Sequence, residues 1–247
     1  MLAEERFSKI LSIIEEAGSV TVQDLMEELG ASESTIRRDL NTMDANGLLV
    51  KVFGGAVAKN TNIRTQDENV DNRKLQNIEE KVAIAKYAAS LIQSGDFVYI
   101  DAGTSTELVI DYIKVANVTF VTNSLTHAKK LSDKGYTVYI LGGEFKSTTE
   151  AIVGEEAVET LDKYNFTKGF WGTNGVNITK GFTTPEVKEA MVKKKSMENC
   201  KERYVLADSS KFSQISSVKF SEFENATIIT TELKNAPYKK YKNIKEV

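Results

Sequence analysis

One cysteine, one histidine and one tryptophan are present in 247 residues, and no apolar run approaches a membrane span. A single thiol, Cys200, excludes a disulfide framework and points to a reducing, cytoplasmic setting. The lone histidine, His127, has no metal-ligand partner beside it, so no metal and no cofactor is expected. Without about 18 consecutive apolar residues no membrane partner is expected, and the acidic, amphipathic start MLAEERFSKI is not a signal peptide. A basic excess is missing too. The net charge is −3, the pI near 5.5, and the first 60 residues hold six Lys/Arg against ten Asp/Glu. Globally this argues against nucleic acid. Seven of those ten acids precede residue 30, however, and Ser32–Arg64 holds five basic residues against three acidic. The basicity is local and weak for one copy, which implies that two or more copies act together as a homo-oligomer.

What is present is concentrated in Ser19–Ala56, SVTVQDLMEELGASESTIRRDLNTMDANGLLVKVFGGA. Val22, Leu25, Met26 and Leu29 recur at i, i+3, i+4, i+7 and predict a helix over 22–29. Thr21 and Asp24 have capping-box spacing, with Asp in place of the usual Glu or Gln, and Gly30 ends the helix. Ser32 caps a second helix, whose Ile36, Leu40 and Met43 share a stripe flanked by Glu33 and Asp39. Opposite lie Ser34, Arg38, Asn41 and Ala45, with Arg37 on the shoulder. A helix apolar on one side and small, polar and cationic on the other suits the DNA major groove, with Arg for guanine edges and phosphate and Asn for adenine. Gly54-Gly55 between β-branched and aromatic residues signals a hairpin. Helix, turn, helix and hairpin make a winged helix-turn-helix. Ser34, Thr35, Arg37, Arg38 and Asn41 are expected in the groove and Lys51 at phosphate. The plainer alternative is a small helical domain with a solvated face. TIRRDL, then GLL, then GGA resembles the DeoR family of bacterial sugar-operon repressors. The resemblance implies that this segment binds double-stranded operator DNA.

Upstream, Phe7, Ile10, Leu11 and Ile14 predict a helix over 3–17 that completes the small core, with Gly18 at its end. Downstream, KNTNIRTQDENVDNRKLQN (59–77) is polar and aperiodic. It reads as a solvated linker or, alternatively, as a segment that docks on the other domain through Arg64 and Arg73. The expected division is 1–58 winged helix-turn-helix, 59–77 linker and 78–247 an α/β domain. In that last part strands at 97–101, 118–122, 137–143, 166–171, 204–208 and 227–231 alternate with helices, the longest over 185–202. The pattern predicts a parallel sheet covered on both faces, with ligands bound outside the strands' carboxyl ends.

The unusual residues gather at those ends. Asp101-Ala-Gly103-Thr104-Ser105-Thr106 offers a tight turn, hydroxyls and N–H groups, an anion cradle that is neither GxGxxG nor a Walker loop. Asn123, Lys146 and Thr149 follow, then Gly172-Thr173-Asn174-Gly175, Thr183 and Glu186, and Asp208 with Lys211. Acids and amides for hydroxyls beside Lys and N–H groups suit a phosphorylated polyol. DAGTST, VTNS, GGEFKSTTEAIVG, GTNGV, GFTTPE and ADSSKF resemble the effector domain of DeoR-type repressors, above all those of fructose operons. That resemblance implies a fold like that of ribose-5-phosphate isomerase and a phosphorylated sugar as inducer, specifically fructose 1-phosphate. It assigns Asp101–Thr106 to phosphate and sugar, and Lys146 and Thr149 to an R/K-x-x-T element. Lys51-Val-Phe53 stands where the family's wing often reads Arg-x-His, which leaves position 53 without that polar contact.

The alternative from another class is an aldose–ketose isomerase, with Glu186, Asp208 and Lys211 cast as base and partners. The expectation is that they bind hydroxyls or cap helices and that the protein is not an enzyme. His127 is expected at the surface or as a cap, Cys200 buried or half-buried, Trp171 in the core or pocket wall, and Lys193–Lys195 on a solvated helix face.

Overall fold

A computed structural model describes residues 2–17, 19–58, 65–67, 69–233, 238 and 241–247. The expectations on Gly18 and Arg64 fall outside these residues. The chain forms two units, Met1–Asn62 with Leu233–Lys242, and Ile63–Glu232 with Asn243–Val247. The expected linker therefore divides, its described part from Thr65 onward belonging to the larger unit. No helix among the described residues is long and apolar enough to cross a membrane.

In the smaller unit α1 (Ala3–Ala17), α2 (Val22–Leu29) and α3 (Glu33–Ala45) precede the hairpin β2 (Leu49–Val52) and β3 (Gly55–Ala58). The capping box closes as its spacing predicts. Thr21 Oγ1 accepts from the Asp24 N–H at 3.1 Å, and the Asp24 carboxylate accepts from the Thr21 N–H at 3.3 Å. Gly30 ends α2 in the left-handed region at φ 59°, where a Cβ would be strained. Ile10, Ile14, Leu25, Ile36, Leu40, Met43 and Leu49 form one core. A short strand the pattern does not reveal, β1 (Ser19–Thr21), pairs antiparallel with β3 and completes a sheet of order β1-β3-β2. Asp39 does not simply flank the apolar stripe. It is buried and accepts from Arg6 Nε at 2.6 Å, which ties α3 to α1.

In the larger unit the described strands are β4 (Phe97–Ile100), β5 (Thr119–Thr122), β6 (Thr137–Ile140), β7 (Glu144–Lys146), β8 (Ala151–Val153), β9 (Phe166–Gly172), β10 (Gly175–Asn177), β11 (Gly181–Thr184), β12 (Cys200–Leu206), β13 (Val218–Ser221), β14 (Thr227–Thr230) and β15 (Ile244–Glu246). Seven of them form a parallel sheet of order β15-β14-β12-β9-β4-β5-β6. Successive side chains alternate between its faces. Val98, Ile100, Phe120 and Phe170 pack with Ile84 and Ala88 of α5 (Ile78–Ser90) and Val109 and Ile110 of α6 (Thr104–Tyr112). On the other face Tyr99 stacks on Trp171, whose Nε1 donates to Ser196 of α9 (Val187–Glu198) at 2.9 Å. Trp171 and Cys200 are buried, as expected.

The chain runs from β4 to β5 and β6 on one side and to β9, β12, β14 and β15 on the other. The crevice between β4 and β9 is thus the switch point where such sheets bind ligands. Three expectations change. The helix expected over 185–202 ends at Glu198, because Cys200 already pairs with Phe166 in the sheet. A short helix, α4 (Val70–Leu75), forms inside the expected linker. Two further small antiparallel sheets appear, β7-β8 and β10-β11-β13.

Candidate functional site

On α3, Ser34, Arg37, Arg38 and Asn41 are exposed and Thr35 is half-buried. Ser32 caps the helix, accepting from the Thr35 N–H at 3.4 Å. The face is partly pre-set. Arg37 Nε donates to Glu33 at 2.7 Å, and Lys51 Nζ donates to Asn41 Oδ1 at 2.6 Å, which ties the wing to the helix. Lys51 therefore stands beside the exposed face of α3 as well as on the wing. Phe53 at the wing tip is fully exposed.

In the larger unit a pocket opens beyond the carboxyl ends of β4, β9 and β12, with an empty volume of about 760 Å³ including its solvent-filled mouth. Gly103, Thr104 and Ser105 line it where the chain enters α6. This turn is shaped from behind. Thr106 Oγ1 donates to the carbonyls of Asp101 at 2.6 Å and Gly103 at 2.9 Å, and Asn123 Oδ1 accepts from the Ala102 N–H at 2.8 Å. Asp101 is buried, accepts from the Gly172 N–H at 3.2 Å and forms a close ion pair with Lys193. Burial raises the Asp101 carboxyl above its ordinary value against the opposing pull of Lys193. Glu189 accepts from Thr149 Oγ1 at 2.6 Å and from Thr184 Oγ1 at 3.2 Å. Burial pushes its carboxyl up, but Lys193, Lys146 and Thr149 outweigh burial and leave it lowered. Lys146 Nζ lies 2.7 Å from Asp67, 2.5 Å from Glu186 and 3.2 Å from Glu189. These three carboxylates have metal-like spacing, but the ammonium sits where an ion would.

Comparison with known proteins places both units. Residues 6–62 match the model of the DeoR-like helix-turn-helix domain, and residues 76–232 that of the DeoR C terminal sensor domain. The chain is 43% identical over 242 residues, 98% of its length and 96% of the relative's, to an uncharacterized HTH-type transcriptional regulator, FruR, of Bacillus subtilis. The chain belongs to the DeoR family of sugar-operon repressors. It is also 32% identical, over 94% of its length and 93% of the relative's, to the lactose phosphotransferase system repressor of Streptococcus mutans. Among solved structures it is similar to ribose 5-phosphate isomerase A from Methanocaldococcus jannaschii, with a TM-score of 0.41 and 19% identity over 56% of this chain and 55% of that one. The DeoR-type domains make it a DNA-binding transcriptional regulator with a sensor domain.

Within that DeoR sensor the expected residues fall into three groups. Gly103, Thr104, Ser105, Thr149, Gly172, Thr173, Asn174, Asp208 and Lys211 line the pocket. Asp101, Thr106, Asn123, Gly175 and Thr183 stand behind it; Thr183 Oγ1 accepts from the Ser216 N–H at 2.9 Å, and a Cβ on Gly175 would meet the Gln214 carbonyl at 2.4 Å. Lys146 and Glu186 pair with each other outside the lining. Ala102 of the expected loop lines it too; Gln66, Arg73, Gln76, Lys81, Glu189, Lys193 and Leu206 also line the pocket and were not expected there.

Two expectations are corrected. Lys193 is not solvated: Glu189, Lys193 and Ser196 lie at i, i+4 and i+7, all buried on the inner face of α9. Lys194 and Lys195 face Glu198 and Asp162. His127 is not at the surface. It is buried in α7 (Leu125–Asp133), and desolvation takes its pKa down to about 3, with Lys130 adding, a hydrogen bond to the Gly103 backbone opposing and Lys74 adding. The neutral ring props the turn that lines the pocket.

Proposed function

We propose that this protein represses a fructose-utilisation operon and is released from its operator by a phosphorylated sugar, fructose 1-phosphate. The observation that carries the reading is the pairing in one chain of a groove-sized cationic helix face with a pocket holding Arg73, Lys81, Lys193 and Lys211 among hydroxyls and amides. In this reading Ser34, Thr35, Arg37, Arg38 and Asn41 enter the major groove, and Lys51 orients Asn41 while reaching phosphate. The protein works as a homo-oligomer on a repeated operator, in the cytoplasm where the chromosome lies. The 43% identity to the regulator named FruR supports the fructose assignment.

An isomerase reading finds less support. Asp208 Oδ1 accepts from Asn77 Nδ2 at 2.9 Å and from the Ser210 N–H at 3.1 Å, so this oxygen is engaged in capping, and Oδ2 faces the Lys211 ammonium at 3.9 Å. Glu186 lies outside the lining, and Glu189 is held ionised by two lysines and is a weak base. Incubation with ribose 5-phosphate is expected to yield no ketose. The main test is a thermal-shift screen of fructose 1-phosphate, fructose 6-phosphate, fructose 1,6-bisphosphate, tagatose 6-phosphate and ribose 5-phosphate. At about one hundred times its dissociation constant the inducer stabilises the protein by about 2.7 kcal/mol, and free fructose does not. A screen in which none of these ligands shifts the melting temperature overturns the reading.

A further inference from the structure

Part of the pocket wall comes from no strand end. Gln66, Arg73 and Gln76 lie in the stretch that opens the larger unit in sequence, and this stretch is strapped across the loops that frame the pocket. Asp67 pairs with Lys146 at 2.7 Å and accepts from Asn174 Nδ2 at 3.1 Å. The Val70 N–H donates to the Thr148 carbonyl at 3.3 Å. Lys74 lies 3.7 Å from Glu107 in the first turn of α6, and Asn77 Nδ2 donates to Asp208 at 2.9 Å.

Arg73 is the charge this strap brings to the pocket. Its Nε is buried and has no hydrogen-bond partner among the described residues. A buried guanidinium N–H without an acceptor is costly, and it is the feature of the lining that calls for an anionic oxygen. The lysines around it are engaged differently. Lys193 holds Asp101 and the Gly172 carbonyl, Lys81 holds the Arg73 carbonyl and Thr104 Oγ1, and Lys211 lies 3.9 Å from Asp208. A planar fork of N–H donors suits a phosphate better than an ammonium does.

We propose that Arg73 is the phosphate ligand of the effector, and that the effector thereby acts directly on the segment that continues the winged helix-turn-helix. The inference rests on the sugar-phosphate reading above. The phosphate joins the strap to the turn at Gly103–Ser105, so a ligand lacking it leaves the strap as it was. Only a ligand that binds two arrangements of the strap unequally shifts operator binding.

The test uses the full chain, fructose 1-phosphate and inorganic phosphate as probes, and operator binding by fluorescence anisotropy at fixed salt. Arg73→Gln is expected to weaken fructose 1-phosphate binding by about 10- to 100-fold and to abolish any stabilisation by inorganic phosphate, with operator affinity without ligand measured beside it as the reference for release. Arg73→Lys recovers part of the loss. At fructose 1-phosphate levels that bring Arg73→Gln to its thermal-shift plateau, operator release stays incomplete. Wild-type affinity for fructose 1-phosphate in Arg73→Gln and Arg73→Lys overturns the inference while leaving the sugar-phosphate reading standing. Full operator release by saturated Arg73→Gln overturns its regulatory half. A wild-type protein that binds none of the phosphosugars overturns both.

Discussion

Arg37 and Arg38 are neighbours in sequence but not in circumstance. Arg37 is held by Glu33 at 2.7 Å, while the exposed Arg38 guanidinium has no partner among the described residues. Arg38→Ala is therefore expected to lower operator affinity at least about tenfold, the cost of one bidentate guanine contact, with the melting temperature and the phosphosugar response unchanged. An operator titration beside a thermal melt checks this; unchanged operator affinity removes α3 from the groove. His127 gives a second prediction. Its pKa is 6.5 unfolded and about 3 folded, so between these values the unfolded chain binds a proton that the folded one refuses. Stability is full above pH 6.5 and falls as pH drops through that window, by up to about 1.4 kcal/mol per unit. In urea titrations wild type should lose about 2 kcal/mol more than His127→Gln between pH 7 and 5; equal losses would place the imidazole in contact with solvent. Single residues were legible in the sequence when their partners were local. Thr21 and Asp24 are three apart and close as their spacing says. Lys193 pairs with Asp101, 92 positions away, and nothing in KKK tells which lysine faces the sheet.

Elements followed the same rule. Strands of the parallel sheet carry their own apolar runs, so all but β15 could be read in isolation, as could α1, α2 and α3. β1, β7, β8, β10, β11 and β13 have three or four residues each and are defined by a partner strand rather than by periodicity. The stretch 65–77 looked solvated because, apart from the buried Val70, its anchors are ion pairs and amides. The Gly-Gly pair was read as a turn, but the structure asks more of Gly55. It pairs with Thr21, and a Cβ there would lie 2.1 Å from the Val20 carbonyl. Backbone must move to admit it. Gly55→Ala should destabilise the smaller unit by about 1–3 kcal/mol and weaken operator binding, with fructose 1-phosphate affinity unaltered. Differential scanning calorimetry with a ligand titration separates the two; an unchanged first transition would mean the wing does not need β1.

At the scale of the whole molecule the difficulty is charge. A protein of net charge −3 must hold a polyanion with the five basic side chains of Ser32–Arg64. Each phosphate neutralised contributes about 0.9 to the slope of log affinity against log salt. If all five basic residues met phosphate, one copy would give a slope of about 4.5; with Arg37 paired to Glu33 and Lys51 to Asn41, it would give less. Two copies on a repeated operator double the limit. The slope measured by anisotropy between about 50 and 200 mM salt should therefore exceed about 5, and halving the operator to one repeat should bring it below that value. The same arithmetic sizes the switch. A hundredfold release requires about 2.7 kcal/mol of differential effector binding, about what one or two charge-assisted phosphate contacts supply. Saturating fructose 1-phosphate should then lower the measured slope along with the affinity, because displaced winged helices lose phosphate contacts together. A loss of affinity at constant slope would mean that the effector acts on base reading alone and leaves the spacing of the DNA-binding units untouched.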